Sequence, residues 1–289
     1  MIGRRDFIGG CAALGATAGC KTAMFGDGPV RFGMITDLHY AEKDTIDFGG
    51  ANGSRYYRQS CEKLAECVMT MNRLSPDFLI ELGDFKDQSA DKGKTLACLD
   101  RIEKVFAGFK GDRYHVLGNH EMDCLSKPEV LSHIWNAGAP AEAHYAFTVG
   151  GVTFAVLDGC YNSKMQDYFP GNWDWTDANI PPAQLAWLED VLAQSAGPAV
   201  VFCHQRIDDK AGGAHGLKNA AAVRRVLEKS GKVKSVYTGH EHGGGFRELN
   251  GISYYTLRAA VIGDYAADVN SYALVTVEAD GSSSVKLCS

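Results

Sequence analysis

The 289-residue chain is 45% hydrophobic and 22% charged, with a formal net charge of −6. That is a soluble globular balance with length for one large core, and no Pro/Ser-rich linker or charge run divides it. No Lys/Arg stripe offers a face that could track phosphates, so nucleic-acid binding is not expected.

Residues 1–24 differ from the rest. Arg4 and Arg5 precede Phe7-Ile8, and Gly9 to Gly19 is an uncharged run of small and apolar residues. A positive start, a short apolar stretch and small residues are the pattern of an export signal, too short to span a membrane permanently. The adjacent arginines resemble the twin-arginine type, which implies the twin-arginine export machinery as partner and a periplasmic or cell-envelope destination. Cleavage is expected near Ala18 to Met24; alternatively Thr17-Ala18-Gly19-Cys20 loosely matches a lipoprotein box, which would put a lipid anchor on Cys20. One catalytic domain is expected over residues 28–289.

Beyond the leader, short apolar strands alternate with helical patterns. Val30 to Thr36, Phe78 to Leu82, Tyr114 to Leu117, Thr153 to Leu157, Ala199 to Cys203 and Ser235 to Thr238 read as buried strands. Amphipathic helices are expected over Gln59 to Leu74, around Leu96 to Phe106, from Pro181-Pro182 onward, and over Asn219 to Lys229, ended by Gly231. Phe246 to Leu257 and Tyr272 to Leu287 read as hairpins turning at Asn250-Gly251 and Asp280-Gly281. Parallel βαβ units followed by antiparallel strands predict an α/β domain with two packed sheets and helices outside. Outside the leader, Cys61, Cys67, Cys98, Cys124, Cys160, Cys203 and Cys288 show no CxxC spacing; most lie in apolar stretches, as small core residues.

The chemistry lies where the strands end. The first strand ends in Asp37-Leu38-His39, the second in Gly83-Asp84-Phe85-Lys86-Asp87 and the third in Gly118-Asn119-His120-Glu121; later strands end in His204 and in Gly239-His240-Glu241-His242. In open α/β sheets ligands gather at the carboxyl ends of strands, so these side chains should converge on one rim. Singly each block is weak, since a lone His after a strand is usually a core residue. Together they hold five of the nine histidines and form an O/N donor set without thiolate. That set suits two divalent transition-metal ions, Mn, Fe or Zn.

In order and spacing the blocks resemble the calcineurin-like metallophosphoesterase superfamily from about Val30 to His242. The resemblance implies a four-layer αββα sandwich of two mixed sheets and a small phosphorylated substrate, an ester or anhydride. It assigns Asp37, His39 and His242 to one metal and Asn119, His204 and His240 to the other, with Asp84 bridging and His120 near the leaving group. Such a pair, ~3.5–4 Å apart, activates a shared hydroxide at neutral pH. Asp87 stands where the purple acid phosphatase branch has a tyrosine, so a charge-transfer site is not expected. Asp87 and Glu121 are expected to orient imidazoles, or else to make ordinary ion pairs.

Phe32 to Ala41, then Arg55-Tyr56-Tyr57-Arg58, together with Gly239 to Phe246, resemble the manganese-dependent ADP-ribose/CDP-alcohol diphosphatase group, which often carries Gln at the position of His39. On that likeness Arg55 and Arg58 would hold a substrate phosphate and Tyr56 or Tyr57 would stack on a base; alternatively the cluster only packs the first helix onto the sheet. Lys210 to Gly216, with His215, and Trp173-Asp174-Trp175 are expected either to overhang the site or to be plain packing. Competing functions are a broad phosphomonoesterase or phosphodiesterase and a non-catalytic metal-binding scaffold.

Overall fold

The computed structural model describes residues 28–49, 53–137, 139–208, 213–268 and 270–288, so residues 1–24, with the arginine pair and Cys20, lie outside it. One sheet contains β1 (Val30–Ile35), β2 (Phe78–Glu81), β3 (Asp112–His115), β10 (Tyr272–Val277) and β11 (Ser283–Cys288), ordered β11-β10-β1-β2-β3. The other contains β4 (Tyr145–Val149), β5 (Val152–Leu157), β6 (Ala199–Cys203), β7 (Val233–Thr238), β8 (Gly245–Leu249) and β9 (Ile252–Thr256), ordered β8-β9-β7-β6-β5-β4. Both sheets are mixed: β1, β2 and β3 run parallel in the first, with the antiparallel β10-β11 hairpin beside β1, and β5, β6, β7 and β9 run parallel in the second, with antiparallel β4 and β8 at its edges.

Alternation along each strand explains the layers. Phe32 and Met34 of β1, Phe78 and Ile80 of β2, Phe154 and Val156 of β5, and Val200 and Phe202 of β6 fill the space between the sheets. Phe32 stacks on Phe78 within its own sheet (5.0 Å between centroids) and meets Phe154, Phe202 and Tyr237 of the facing sheet edge-on. The intervening residues point outward and are also covered. Leu79 faces α1 (Ser60–Leu74) and α2 (Lys92–Phe106). Val201 and Cys203 face two further helices, Pro182–Gln194 and Ala220–Ser230, which follow the five-residue α3 (Lys127–Leu131) and are α4 and α5. A strand buried on both faces reads as a continuous apolar run, which is why these segments were identifiable. The result is the expected four-layer αββα sandwich.

One expected strand is displaced and one strand is additional to those expected. The third strand ends at His115, before Val116-Leu117, and Tyr145–Val149 forms an edge strand paired antiparallel with Val152–Leu157 through Gly150-Gly151. The described cysteines are all free, and five are buried.

Candidate metal centre

The carboxyl ends of β1, β2, β3, β6 and β7 meet on one rim, joined by main-chain hydrogen bonds between the loops. Asp37 N–H donates to Gly83 O (3.0 Å), His39 N–H to Asp84 O (2.8 Å) and Gly239 N–H to His204 O (3.0 Å). The approach is close enough that a Cβ on Gly118 would collide with Asp84, and one on Gly239 with Thr36 and Asp37. Asp37, His39, Asp84 and His240 all adopt left-handed backbone, φ 50°, 47°, 53° and 67°. Non-glycine residues hold such conformations only where the surroundings over-determine them, and they concentrate at functional sites.

Among the described residues these loops assemble three groups of donor atoms, of which one, His39, Asp87 and His120, shares His39 with the first of the two fully buried groups. In the first, His39 Nε2 lies 3.7 Å from Asp37 Oδ1 and 3.2 Å from His242 Nε2, which is 3.3 Å from the same Asp37 oxygen. In the second, His204 Nε2 lies 3.2 Å from Asp84 Oδ2, with a nitrogen of His240 close by. Asp84 Oδ2 is also 3.6 Å from His39 Nε2, so one carboxylate oxygen stands between the groups. Its other oxygen accepts the His120 N–H at 2.8 Å. Asp37 Oδ1, Asn119 Oδ1, His204 Nε2 and His240 Nε2 are buried with no hydrogen-bond partner. Buried lone pairs left unpaired are costly, and those of Asp37, His204 and His240 fall within the two donor groups, where a pair of cations would satisfy them. The residues therefore fit two divalent metals.

Neighbouring groups orient these donors. His204 Nδ1 lies 2.8 Å from Leu82 O, which can only accept, so Nδ1 carries the proton and Nε2 faces the site with its lone pair. Asp87 sits between His39 Nδ1 (3.5 Å) and His120 Nδ1 (3.6 Å) and accepts from Lys43 Nζ at 2.7 Å. Glu121 meets no imidazole among its hydrogen-bond partners. Its buried carboxylate accepts four backbone N–H groups instead, from Asp84 (3.0 Å), Phe85 (2.8 Å), Lys86 (3.4 Å) and Gly118 (2.6 Å). It thereby clamps the loop of Asp84 to that of Asn119. No sequence motif marks Asp123, which lies 3.5 Å from His120 Nδ1 and is ion-paired to the fully buried Lys86.

Charge follows geometry. Burial opposes ionisation of Asp84, yet His204, His120 and His39 hold its carboxyl well below the usual range. Burial likewise opposes protonation of His120, but Asp84, Asp123 and Asp87 outweigh it and push it up to about 10. His240 is driven down by burial and by the neighbouring His204, and His242 by burial. Glu121 is pushed up to about 7 by burial and the Asp84 and Glu81 carboxylates, with Lys86 and His204 opposing the rise.

The expected substrate residues separate. The Arg55 guanidinium lies over the Phe48 ring at 4.5 Å, has a buried, unpaired Nε, and acts electrostatically on His242. Arg58 is half exposed and committed to Glu42 and Asp44. The Tyr56 ring faces Lys63 Nζ at 5.8 Å, and Tyr57 is buried. Trp173 and Trp175 do reach the rim: Trp173 lies 5.2 Å from His120, and Trp175 lies 5.8 Å from His240 and 5.2 Å from His215 between ring centroids. Lys210 to Gly212 lie outside the described residues.

Comparisons with known proteins agree with this geometry. Manganese-dependent ADP-ribose/CDP-alcohol diphosphatases are similar at 29% identity in Arabidopsis thaliana, over 80% of this chain and 86% of the relative, and at 24% in Danio rerio, over 80% and 87%. A crystal structure of a dimetal phosphatase from Danio rerio superposes with a TM-score of 0.71 at 21% identity, covering 90% of this chain and 96% of its own. A family model for calcineurin-like phosphoesterase matches residues 30–244, and it is to this family of metal-dependent phosphate hydrolases that the chain belongs.

Proposed function

We propose that the enzyme cleaves the phosphoanhydride of a nucleoside-diphosphate-linked substrate, of the ADP-ribose or CDP-alcohol kind, with two divalent ions, manganese foremost. The observation that carries the two-metal reading is Asp84 Oδ2, 3.6 Å from a donor of one group and 3.2 Å from a donor of the other. Asp37, His39 and His242 would hold one ion, Asn119, His204 and His240 the other, with Asp84 common to both. When bound, such ions polarise the phosphoryl oxygens and lower the pKa of water.

The remaining work falls to the chain. Asp84 supplies negative charge between two cationic sites, while neutral Asn119 offers a carbonyl without cancelling the charge of its site. His120, kept protonated by Asp84, Asp123 and Asp87, can give a proton to the departing oxygen. Arg55, rather than Arg58, is the guanidinium suited to the non-reacting phosphate, because Arg58 is already paired. The substrate class rests on the diphosphatase relatives. The test is to strip the protein with chelator, restore Mn, Fe or Zn singly, and compare kcat/KM for ADP-ribose, CDP-choline and p-nitrophenyl phosphate. Manganese should restore most activity and the diphosphates should be preferred. Preference for the monoester would defeat the substrate assignment and leave the family unaffected.

For residues 1–24 we propose twin-arginine export on the strength of Arg4-Arg5 and the uncharged run after them. Replacing both arginines with lysine should retain the protein in the cytoplasm, and unchanged export would refute the route.

A further inference from the structure

The segment joining β5 to α4 carries an aromatic side chain that the fold does not need. Trp173 packs against the cluster beneath α1 and α2, on the first sheet, whereas Trp175 belongs to none of the buried clusters among the described residues. Trp175 instead leaves 40% of its surface in solvent while standing beside His240 and His215. What sets it apart from the other exposed apolar side chains is its place, with its ring against two imidazoles at the donor-rich rim.

The segment is also held in place. Tyr168 Oη donates to Asp174 O at 2.7 Å, Thr176 N–H and Oγ1 both donate to Asp174 Oδ1 at 2.9 and 2.7 Å, and Lys218 N–H donates to Ala178 O at 2.8 Å. At its start, buried Lys127 pairs with Asp158 and Asp167. An indole fixed before binding loses little freedom on receiving a flat ring, which is what a stacking surface requires.

We propose that Trp175 is the platform on which the nucleobase of the substrate stacks, with His215 completing the wall beside the metal-binding His240. This deepens the diphosphatase reading and rests on it: the phosphates lie at the histidine-rich rim, and the base lies on the His240 side, across from Arg55 beside His242. The ligand class is a planar, π-bearing ring joined to phosphate through a sugar. Aliphatic phosphates have nothing to place there.

Hydrolysis of ADP-ribose at its anhydride takes up one water and gives AMP and ribose 5-phosphate, so these two halves are the probes. Their affinities are measured by calorimetry on the manganese-loaded protein, as wild type, Trp175→Phe and Trp175→Ala, each checked for unchanged metal content and melting temperature. Wild type should bind AMP about tenfold more tightly than ribose 5-phosphate, the scale of one base on one aromatic ring. Trp175→Phe should keep most of the difference, and Trp175→Ala should lose it through weaker AMP binding alone. A difference that survives in Trp175→Ala, or is absent from wild type, overturns the platform. ADP-ribose turnover is followed separately: a Trp175-dependent AMP preference without turnover upholds the platform and sinks the diphosphatase reading, and turnover without that preference does the reverse.

Discussion

Replacing Glu121 with Gln tests whether the two donor-bearing loops, those of Asp84 and Asn119, depend on one buried carboxylate. Gln keeps the volume but offers one oxygen and one NH2 group. The NH2 must face either the amides of Phe85 and Lys86 or those of Asp84 and Gly118, so two of the four hydrogen bonds are lost. Bonds to a charged acceptor are worth about 1.5–3 kcal/mol each, so the loss is about 3–6 kcal/mol. Against this, neutral Gln escapes the burial that pushes the carboxyl from 4.5 up to about 7, which costs the ionised group about 3 kcal/mol. The net destabilisation is about 0–3 kcal/mol, and its centre near 1.5 kcal/mol lowers the melting temperature of a domain this size by about 3–6 °C. Metal binding should suffer more than stability, because Asp84 and the loop of Asn119 lose their common anchor; supporting groups of this kind usually account for about 10–100-fold in affinity. Thermal scans of the apo protein and calorimetric titration with manganese measure both. Unchanged manganese affinity beside a lowered melting temperature would show that the clamp serves the fold and not the site, and no change in either would refute the hydrogen-bond reasoning.

Asp84→Ala should abolish turnover and remove at least one bound ion per chain, measured by metal analysis after gel filtration; full activity sinks the shared-carboxylate reading. His120→Ala should retain its metals but lose about 10²–10⁴-fold in rate on alkyl leaving groups, and much less on a p-nitrophenyl ester, whose oxygen needs no proton; equal losses on both would point to positioning. The buried imidazole of His115 lies 2.8 Å from Glu81 and 3.0 Å from Glu103, and the glutamates overcome its burial to push it up to about 9. Burial raises Glu81 as well, so both groups bind protons more tightly in the folded chain than in the unfolded one. The stability the His115 imidazole contributes is present in full below about pH 6.5 and is lost as pH rises through about 9. Urea unfolding of His115→Gln should therefore show a shallower decline between pH 7 and 9 than wild type, and an equal slope would count against this pair as its source.

The sandwich and the donor set were legible for the same reason: strands buried on both faces make unbroken apolar runs, and the polar residues that close those runs must lie on the rim. The third strand was misplaced because Val116 and Leu117 are buried and apolar although the ladder stops at His115. Tyr145–Val149 escaped because an edge strand of half-buried residues lacks that run; the Gly150-Gly151 pair after it was the available cue. Nothing local could have revealed the Lys86–Asp123 pair or the amide clamp of Glu121, since both join residues about one helix and one strand apart that only the folded loops bring together. Arg58 looked like Arg55 in sequence, and Glu42 and Asp44, brought beside it by the loop after β1, separate the two.

The left-handed backbone at Asp37, His39, Asp84 and His240 bears on how such a centre can change over evolution. At these positions a replacement must suit both the ion and a φ that only glycine, asparagine and aspartate adopt readily. Exchange of either aspartate for asparagine is open to the main chain and alters only the charge presented, whereas a β-branched residue would open the loop before its side chain mattered. Drift toward another ion is thus channelled into few substitutions here, while Asn119, His204 and His242, absent from the positive-φ set, have wider latitude. The asymmetry falls within each donor group, so each combines constrained and adjustable positions.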